Sequence, residues 1–327
     1  MTIIKRVLVI FLVFELGLPS LANAESRNCT PEEKAKADKQ LFLNKRDKDL
    51  ALKQHLPWGI PSSSEDEQLL IQRDYIISYS NELRVPVWTA HRLVEKELKG
   101  GDRVNCFRTD PRVNAKDASL PSDFSEPIFD QGHLTPNGDM AKGVTPVVNS
   151  FVMSNMAPQY CQFNRGVWQI FESIVRLYMK ERGTVYVLTG SVFDRNGDGH
   201  RDPNEDAKRM KSNNGKTRVA VPTHFYKILI HQQENGGIES LAVMLPHDQT
   251  DLDGDDALDY LTAHIQSIAE IEAITGINFF PGIGVTDPAA AAAVENDKLG
   301  ALWPFSGTPA RSLVAAPCRK TAGADQQ

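Results

Sequence analysis

The stretches FDQGHLTP (residues 129–136) and SNMAPQYCQFNRGVWQIFE (residues 154–172) decide how this chain is read. A short strand over residues 128–131 leads to Gly132 and His133, just ahead of a proline-containing turn. This puts the histidine at an exposed strand end, with little room to be core. An imidazole with an ordinary pKa near 6.5 can take a proton at neutral pH. On the residues alone, a surface turn histidine explains the position equally well. The second stretch enters a helix over residues 165–181. Its apolar positions Val167, Ile170, Phe171, Ile174 and Tyr178 form one face, and Gly183 ends it. Asn164, Trp168 and Glu172 recur at i, i+4 and i+8, one stripe beside that face. An amide oxygen and a carboxylate are hard donors suited to Mg²⁺. Eight residues at 1.5 Å rise separate them by about 12 Å along the axis. Asn164 is therefore the candidate direct ligand, and Glu172 a group that holds metal-bound water. A solvated glutamate and an asparagine near a helix start, where it is favoured as a cap, form the plain alternative.

Working outward, residues 71–80 and 84–93 carry strand-like runs, with Asn81-Glu82 between them as a hairpin turn. Residues 98–126 are polar and punctuated by Gly100, Gly101, Pro111 and Pro121, a long loop of the kind that carries function. Residues 147–153 form another apolar run. Residues 185–192 are too β-branched for a helix and read as a strand, as do 219–230 and 241–245. Residues 256–264 and 268–275 read as helices, the second stopped by Gly276. No repeat or linker divides this body. The expectation is one α+β domain over residues 57–281, with a central, mostly antiparallel sheet flanked by helices. A charged helical extension at residues 25–56 precedes it. An Ala-, Gly- and Pro-rich tail of low order at residues 282–327 follows.

The chain has 327 residues, 41% hydrophobic and 24% charged, with a net charge of −6. This excludes a collagen, a coiled coil, a mostly disordered chain and a multi-span membrane protein. Residues 1–24 read as a secretory signal peptide. Lys5 and Arg6 start it, residues 7–18 are apolar apart from Glu15, and Ala22-Asn23-Ala24 is a small-x-small cleavage site. The implied location is the periplasm or the medium, with no membrane association once that segment is removed. Cys29, Cys106, Cys161 and Cys318 all lie beyond it. An oxidising compartment makes two disulfides the expectation, with three pairings open. No C-x-x-C spacing supports zinc, and nothing near Cys161 activates it as a nucleophile.

Residues 194–205 fit the calcium loop D-x-[DN]-x-[DN]-G-x₅-E. Asp194, Asn196, Asp198, Asp202 and Glu205 supply side-chain oxygens, and His200 its backbone carbonyl. A strand rather than a helix precedes the loop, so a structural Ca²⁺ site stands against a polar surface turn. Asp251, Asp253 and Asp255 read as a weaker copy that caps the next helix.

DQGHLTP followed by SNMAPQ…NRGVWQIFE resembles the DNA/RNA non-specific endonuclease family, with its ββα-metal active site. That family shows D-R-G-H before a small residue and Pro, then S-N-x-x-P-Q, N-x-x-x-W and Glu. RVPVWTAHRL, VYVLTG, VAVPTHFYKI and IAEIEAITGINFF are similar to its flanking strands and closing helix. The resemblance implies a nuclease that hydrolyses phosphodiesters of DNA and RNA to 5′-phosphate ends without sequence specificity. It makes His133 the general base and Asn164 the one protein ligand of Mg²⁺ or Mn²⁺. Glu172 would fix water on that ion, and Asn155 would support the site and help orient the histidine. It also calls for an upstream arginine to neutralise phosphate, for which Arg108 is the candidate, with Arg103 and Arg112 as rivals. Gln131 departs from the family arginine and replaces a charge-assisted contact with a neutral amide. Against the acidic net charge, a local patch of Arg103, Arg108, Arg112, Lys116, Arg165 and Arg176 would meet the phosphates. Two other readings stand beside this one: a phosphodiesterase on small nucleotides, and a calcium-binding extracellular module with a decayed nuclease site. Oligomeric state is open.

Overall fold

The computed structural model describes residues 26–62, 67–101, 103–211, 218–282, 288–309 and 318. The signal-peptide segment lies outside them. The chain opens with β1 (Ser26–Asn28), α1 (Pro31–Gln40) and α2 (Lys45–His55). Thr30 caps α1 in a reciprocal box with Glu33, and Asn44 caps α2 through Asp47. The helical extension expected at residues 25–56 is therefore present.

Among the described residues the main sheet has seven strands, all paired antiparallel. They are β2 (Glu67–Ile71), β3 (Ile76–Ser80), β4 (Val85–Val94), β8 (Thr184–Val192), β9 (His224–Gln232), β10 (Ile238–Pro246) and β11 (Ile265–Gln266). Their spatial order is β11-β10-β9-β8-β4-β3-β2. Successive side chains alternate between the two faces. Trp88, Ala90, Leu188, Ile228 and Ile230 face one core, closed by Ala51 of α2 and by Ile268, Ile271 and Ile274. Those three isoleucines come from a helix over Ile268–Thr275. Leu93, Val185, Val187, Phe225 and Leu229 face the other core. Ile170, Phe171, Ile174 and Tyr178 cover it from the long helix Gln169–Arg182. The α+β architecture is the expected one.

Several local expectations change. Residues 71–80 are two strands, because the polar turn at 72–75 folds back on itself through Gln72 N–H to Tyr75 O at 3.3 Å. The apolar run at 147–153 opens as α3 (Val144–Ser150), a helix. The strand expected from residue 219 starts at His224. Ala220 and Val221 donate to Leu83 and Lys208 instead, and Pro222 has no N–H to give. The tail is not of low order over residues 288–309. A helix runs over Pro288–Asn296, and Trp303 is buried on Tyr178 and beneath Arg182. Two disulfides form, Cys29–Cys106 and Cys161–Cys318. The first ties the N-terminal extension to the long loop. The second ties the chain's far end to the entry of the long helix.

Candidate active site

β6 (Phe129–His133) pairs antiparallel with β7 (Met156–Tyr160), putting His133 opposite Met156. The strand thus includes His133, and the expected exposed turn histidine is instead buried, 8% exposed. Its ring stands edge-on to Phe151, centroids 4.7 Å apart, with Phe107 at 6.0 Å. Nε2 is buried without a hydrogen-bond partner among the described residues. Burial, and then the Arg103 charge, hold the imidazole well below its usual pKa. It is therefore neutral and proton-accepting at pH 7. Gly132 is required beside it, because a Cβ there would lie 2.1 Å from Gln159 Oε1.

Asn155, fully buried, staples the chain just past the histidine. Its Oδ1 accepts from Thr135 N–H at 3.0 Å, and its carbonyl from Leu134 N–H at 3.0 Å. Its amide donates to Thr135 O at 3.0 Å and Ser150 O at 2.8 Å. All four bonds go to backbone, so Asn155 acts by holding the chain that follows the histidine, the supporting place expected of it.

Asn164 opens a π turn, Asn164–Trp168, that leads into α4 (Gln169–Arg182). Gly166 takes the non-helical angles of that turn, where a Cβ would press on Asp251 Oδ1 at 3.2 Å. Asn164 donates its amide N–H to Asp130 Oδ2 at 2.9 Å. Asp130 also receives Arg165 in a two-pronged pair at 2.8 and 2.7 Å. Sequence reasoning missed this aspartate, although it is the first residue of the quoted motif. With the nitrogen committed, Asn164 Oδ1 is the oxygen left to accept or to ligate. Glu172 lies in the first turn of α4, about two turns beyond Asn164. Burial raises its carboxyl above the ordinary range, opposed first by Lys227 and then by Arg176. A neutral amide oxygen backed by a carboxylate fits a hard divalent cation that keeps most of its water.

The arginine assignment is corrected. Arg108 is buried at 6% exposure and spends its guanidinium inside the fold. It donates to Asp38 at 2.7 Å, Val148 O at 2.7 Å, Asn149 Oδ1 at 2.8 Å and Cys106 O at 3.3 Å. Arg112 is likewise bound to Asp110 and Ile71 O. Arg103 is the one at the site. Its guanidinium lies over the Phe151 ring, 5.0 Å from the centroid. Its charge acts on His133, Glu172 and Asp130 together. The expected basic patch narrows accordingly, since Arg165 and Arg176 are paired with Asp130 and Asp139. Arg103→Ala is expected to lower kcat/KM for DNA about 100-fold with little change in melting temperature. Arg108→Ala is expected to do the reverse, losing about 3 kcal/mol of stability because it leaves Asp38 and buried carbonyls unpaired. Steady-state kinetics and denaturation of both variants separate the roles.

At the expected calcium loop the side chains bond within the loop. Among the described residues no three His, Cys, Asp or Glu side chains converge to hold a metal. Asp194 accepts instead from the backbone N–H of Gly197, Asp198 and Gly199, and Asp198 from His200 N–H. Asn196 accepts from Asp198 N–H, and Asp202 from Arg195 N–H. These side chains, with Glu205 on a separate turn, satisfy the loop itself. Asp253 caps the helix Gly254–Ala263, as expected.

Buried histidines set the response to acid. Burial lowers His55 to about 3 and His247 to about 4, and depresses His133 as well. Between those values and 6.5 the unfolded chain binds protons that the folded one refuses, so stability falls as pH is lowered through this window. Each histidine contributes about 1.4 kcal/mol per pH unit there. Chemical denaturation at pH 7.5, 6 and 5 should show this loss. By the same depression, His133 itself should add no acid limb to kcat/KM above pH 6.5.

A strand and a helix tied together by the Asp130–Asn164 bond carry a neutral imidazole, an amide oxygen and a carboxylate, groups that suit a metal-assisted hydrolase. The model of the DNA/RNA non-specific endonuclease family matches residues 59–285, and the chain belongs to that family. Its members depend on a divalent metal. The chain is 32% identical to Nuclease C1 of Cunninghamella echinulata var. echinulata over 71% of its own length and 89% of the relative's. It is 31% identical to human mitochondrial Endonuclease G over 69% and 73%. Among solved structures, the complex of EndoG with EndoGI superposes with a TM-score of 0.58 at 25% identity, covering 71% of this chain and 92% of that one. The protein is a nuclease.

Proposed function

We propose that this chain is an exported, Mg²⁺-dependent endonuclease that cleaves DNA and RNA without sequence preference and leaves 5′-phosphate ends. The observation that carries the reading is His133 Nε2: buried, unpartnered, neutral at pH 7, and in one arginine's field with Glu172 and Asp130. Nε2 accepts the proton of the water that attacks phosphorus. Asn164 Oδ1 would ligate the Mg²⁺, and Glu172 would orient water in its shell. Bound there, the ion supplies positive charge to the phosphate oxygens and the departing 3′-oxygen. Arg103 shares the charge on the phosphate. Gln131 donates its amide to Pro121 O at 3.3 Å, so it braces the long loop where the family has an arginine. Contacts to phosphate carry no base information, which suits a non-specific enzyme. The pattern at residues 1–24 supports export, and two disulfides suit an oxidising compartment.

The test is an assay of purified protein on plasmid, linear DNA, RNA and a dinucleotide, with and without EDTA. Endonucleolytic cleavage of plasmid and RNA, abolished by EDTA and restored by Mg²⁺, is expected. Turnover of the dinucleotide alone would reject the reading.

A further inference from the structure

The sheet face beneath α4 is apolar along most of its length, but a polar row crosses it. Thr89 of β4 pairs with Thr189 of β8, and Thr189 with Lys227 of β9. All three are buried, Lys227 at 1% exposure. The neighbours of Lys227 on the same face are Phe225 and Leu229, both core residues. Burying an ammonium costs several kcal/mol unless it is compensated. The partners that hold Nζ are a hydroxyl and a ring rather than a carboxylate. Nζ donates to Thr189 Oγ1 at 3.0 Å and lies 4.3 Å from the centroid of the Trp168 ring. Trp168 is one helical turn before Glu172, so the ring fastens the base of the metal-site helix onto the charge. A residue needed only to fill this space would be apolar, as Phe225 and Leu229 are.

We propose that Lys227 is a positioning residue, a fixed internal counter-charge that holds the Glu172 carboxylate in its working orientation from behind the site. This rests on the role given to Glu172 above. Trp168 and Glu172 stand on one stripe of the helix, so the ammonium over the ring is a cation on the sheet side of the carboxylate, and the attraction between the two charges opposes the cost of burying them. A second buried polar set, His91–Asp139 at 3.0 Å and the Asp139–Arg176 ion pair at 3.0 Å, flanks the pair on the same side of the sheet. Arg176 follows Glu172 by one turn of α4. The carboxylate therefore sits between cations on the helix and on the sheet, and Lys227 is the one that cannot move with the helix.

The experiment is a double-mutant cycle in the full-length enzyme. Lys227→Met keeps the volume and removes the charge. It should fold with a melting temperature at or above that of the parent and lower kcat about 10-fold, with KM for DNA unchanged. In a Glu172→Gln background the same substitution should cost less than 2-fold, because the group it acts through is already neutral. A purely structural lysine would cost the same factor in both backgrounds. That result, or a Lys227→Met enzyme within 2-fold of the parent, overturns the proposal. A Glu172→Gln enzyme as fast as the parent would instead reject the role of Glu172, and the positioning role with it. Should Lys227→Met fail to fold, Thr189→Val takes its place. It removes the hydroxyl that anchors Nζ, and it should cost about 3-fold in kcat in the parent and nothing further beside Glu172→Gln. Equal losses in both backgrounds overturn the proposal there too.

Discussion

Replacing His133 with alanine is expected to lower kcat on DNA by 10²–10⁴-fold, the usual contribution of a positioned general base. KM and the Mg²⁺ requirement should stay near those of the parent, since the imidazole binds neither phosphate charge nor metal. The expectation follows from the environment rather than from the motif alone. Phe151 and Phe107 fix the ring plane, and the Asn155 staple fixes the backbone that follows. Among the described residues Nε2 has nothing to accept from or donate to. Such an atom costs stability unless a substrate or water meets it. Removal of the ring leaves a cavity between two aromatics, so some loss of stability accompanies the loss of rate. Assays well below the variant's melting temperature keep the two apart. A His133→Ala enzyme within a few-fold of the parent, with Mg²⁺ saturating, would show that another group takes the proton.

Asn164→Ala should shift the half-saturating Mg²⁺ concentration upward by more than 100-fold at fixed DNA. On the proposed role the amide oxygen is the one direct protein ligand, so its loss would leave the ion held by water and phosphate oxygens. Asp130→Asn makes a graded comparison. It weakens the hold on the Asn164 amide and the pairing with Arg165 but leaves Oδ1 in place. Loss of an outer partner of this kind costs about 10–100-fold in metal affinity. The order Asn164→Ala worse than Asp130→Asn, read from Mg²⁺ titrations of initial rate, supports direct ligation. An unchanged titration for Asn164→Ala would remove it from the metal site.

The parts of the site carried by local sequence were legible before any coordinates. His133, Asn164 and Glu172 sit in two short stretches whose spacing is set by one strand and one helix. Arg103 and Arg108 show where such reasoning stops. They share one polar loop, and nothing local distinguishes them. The difference lies in partners remote in sequence, Asp38 and Val148 for Arg108, and the Phe151 ring for Arg103. Lys227 is hidden in the same way, as a single polar residue in an alternating strand. Its meaning depends on Trp168 arriving above it. The calcium pattern is a local one too. The residue types match, but Asp194, Asn196 and Asp198 spend their side-chain oxygens on nearby N–H groups.

What the chain determines by itself is therefore whatever acts over a few residues. The seven-stranded sheet's alternation, the amphipathic metal-site helix, the caps and the base–ligand motifs follow from backbone periodicity and side-chain size. Tertiary structure alone decided which arginine lies beside the histidine, which cysteines pair, that Trp303 packs back on α4, and that an ammonium lies under Trp168. Those outcomes depend on burial and Coulomb interactions between groups far apart along the chain, and only the packed fold brings them within reach of one another.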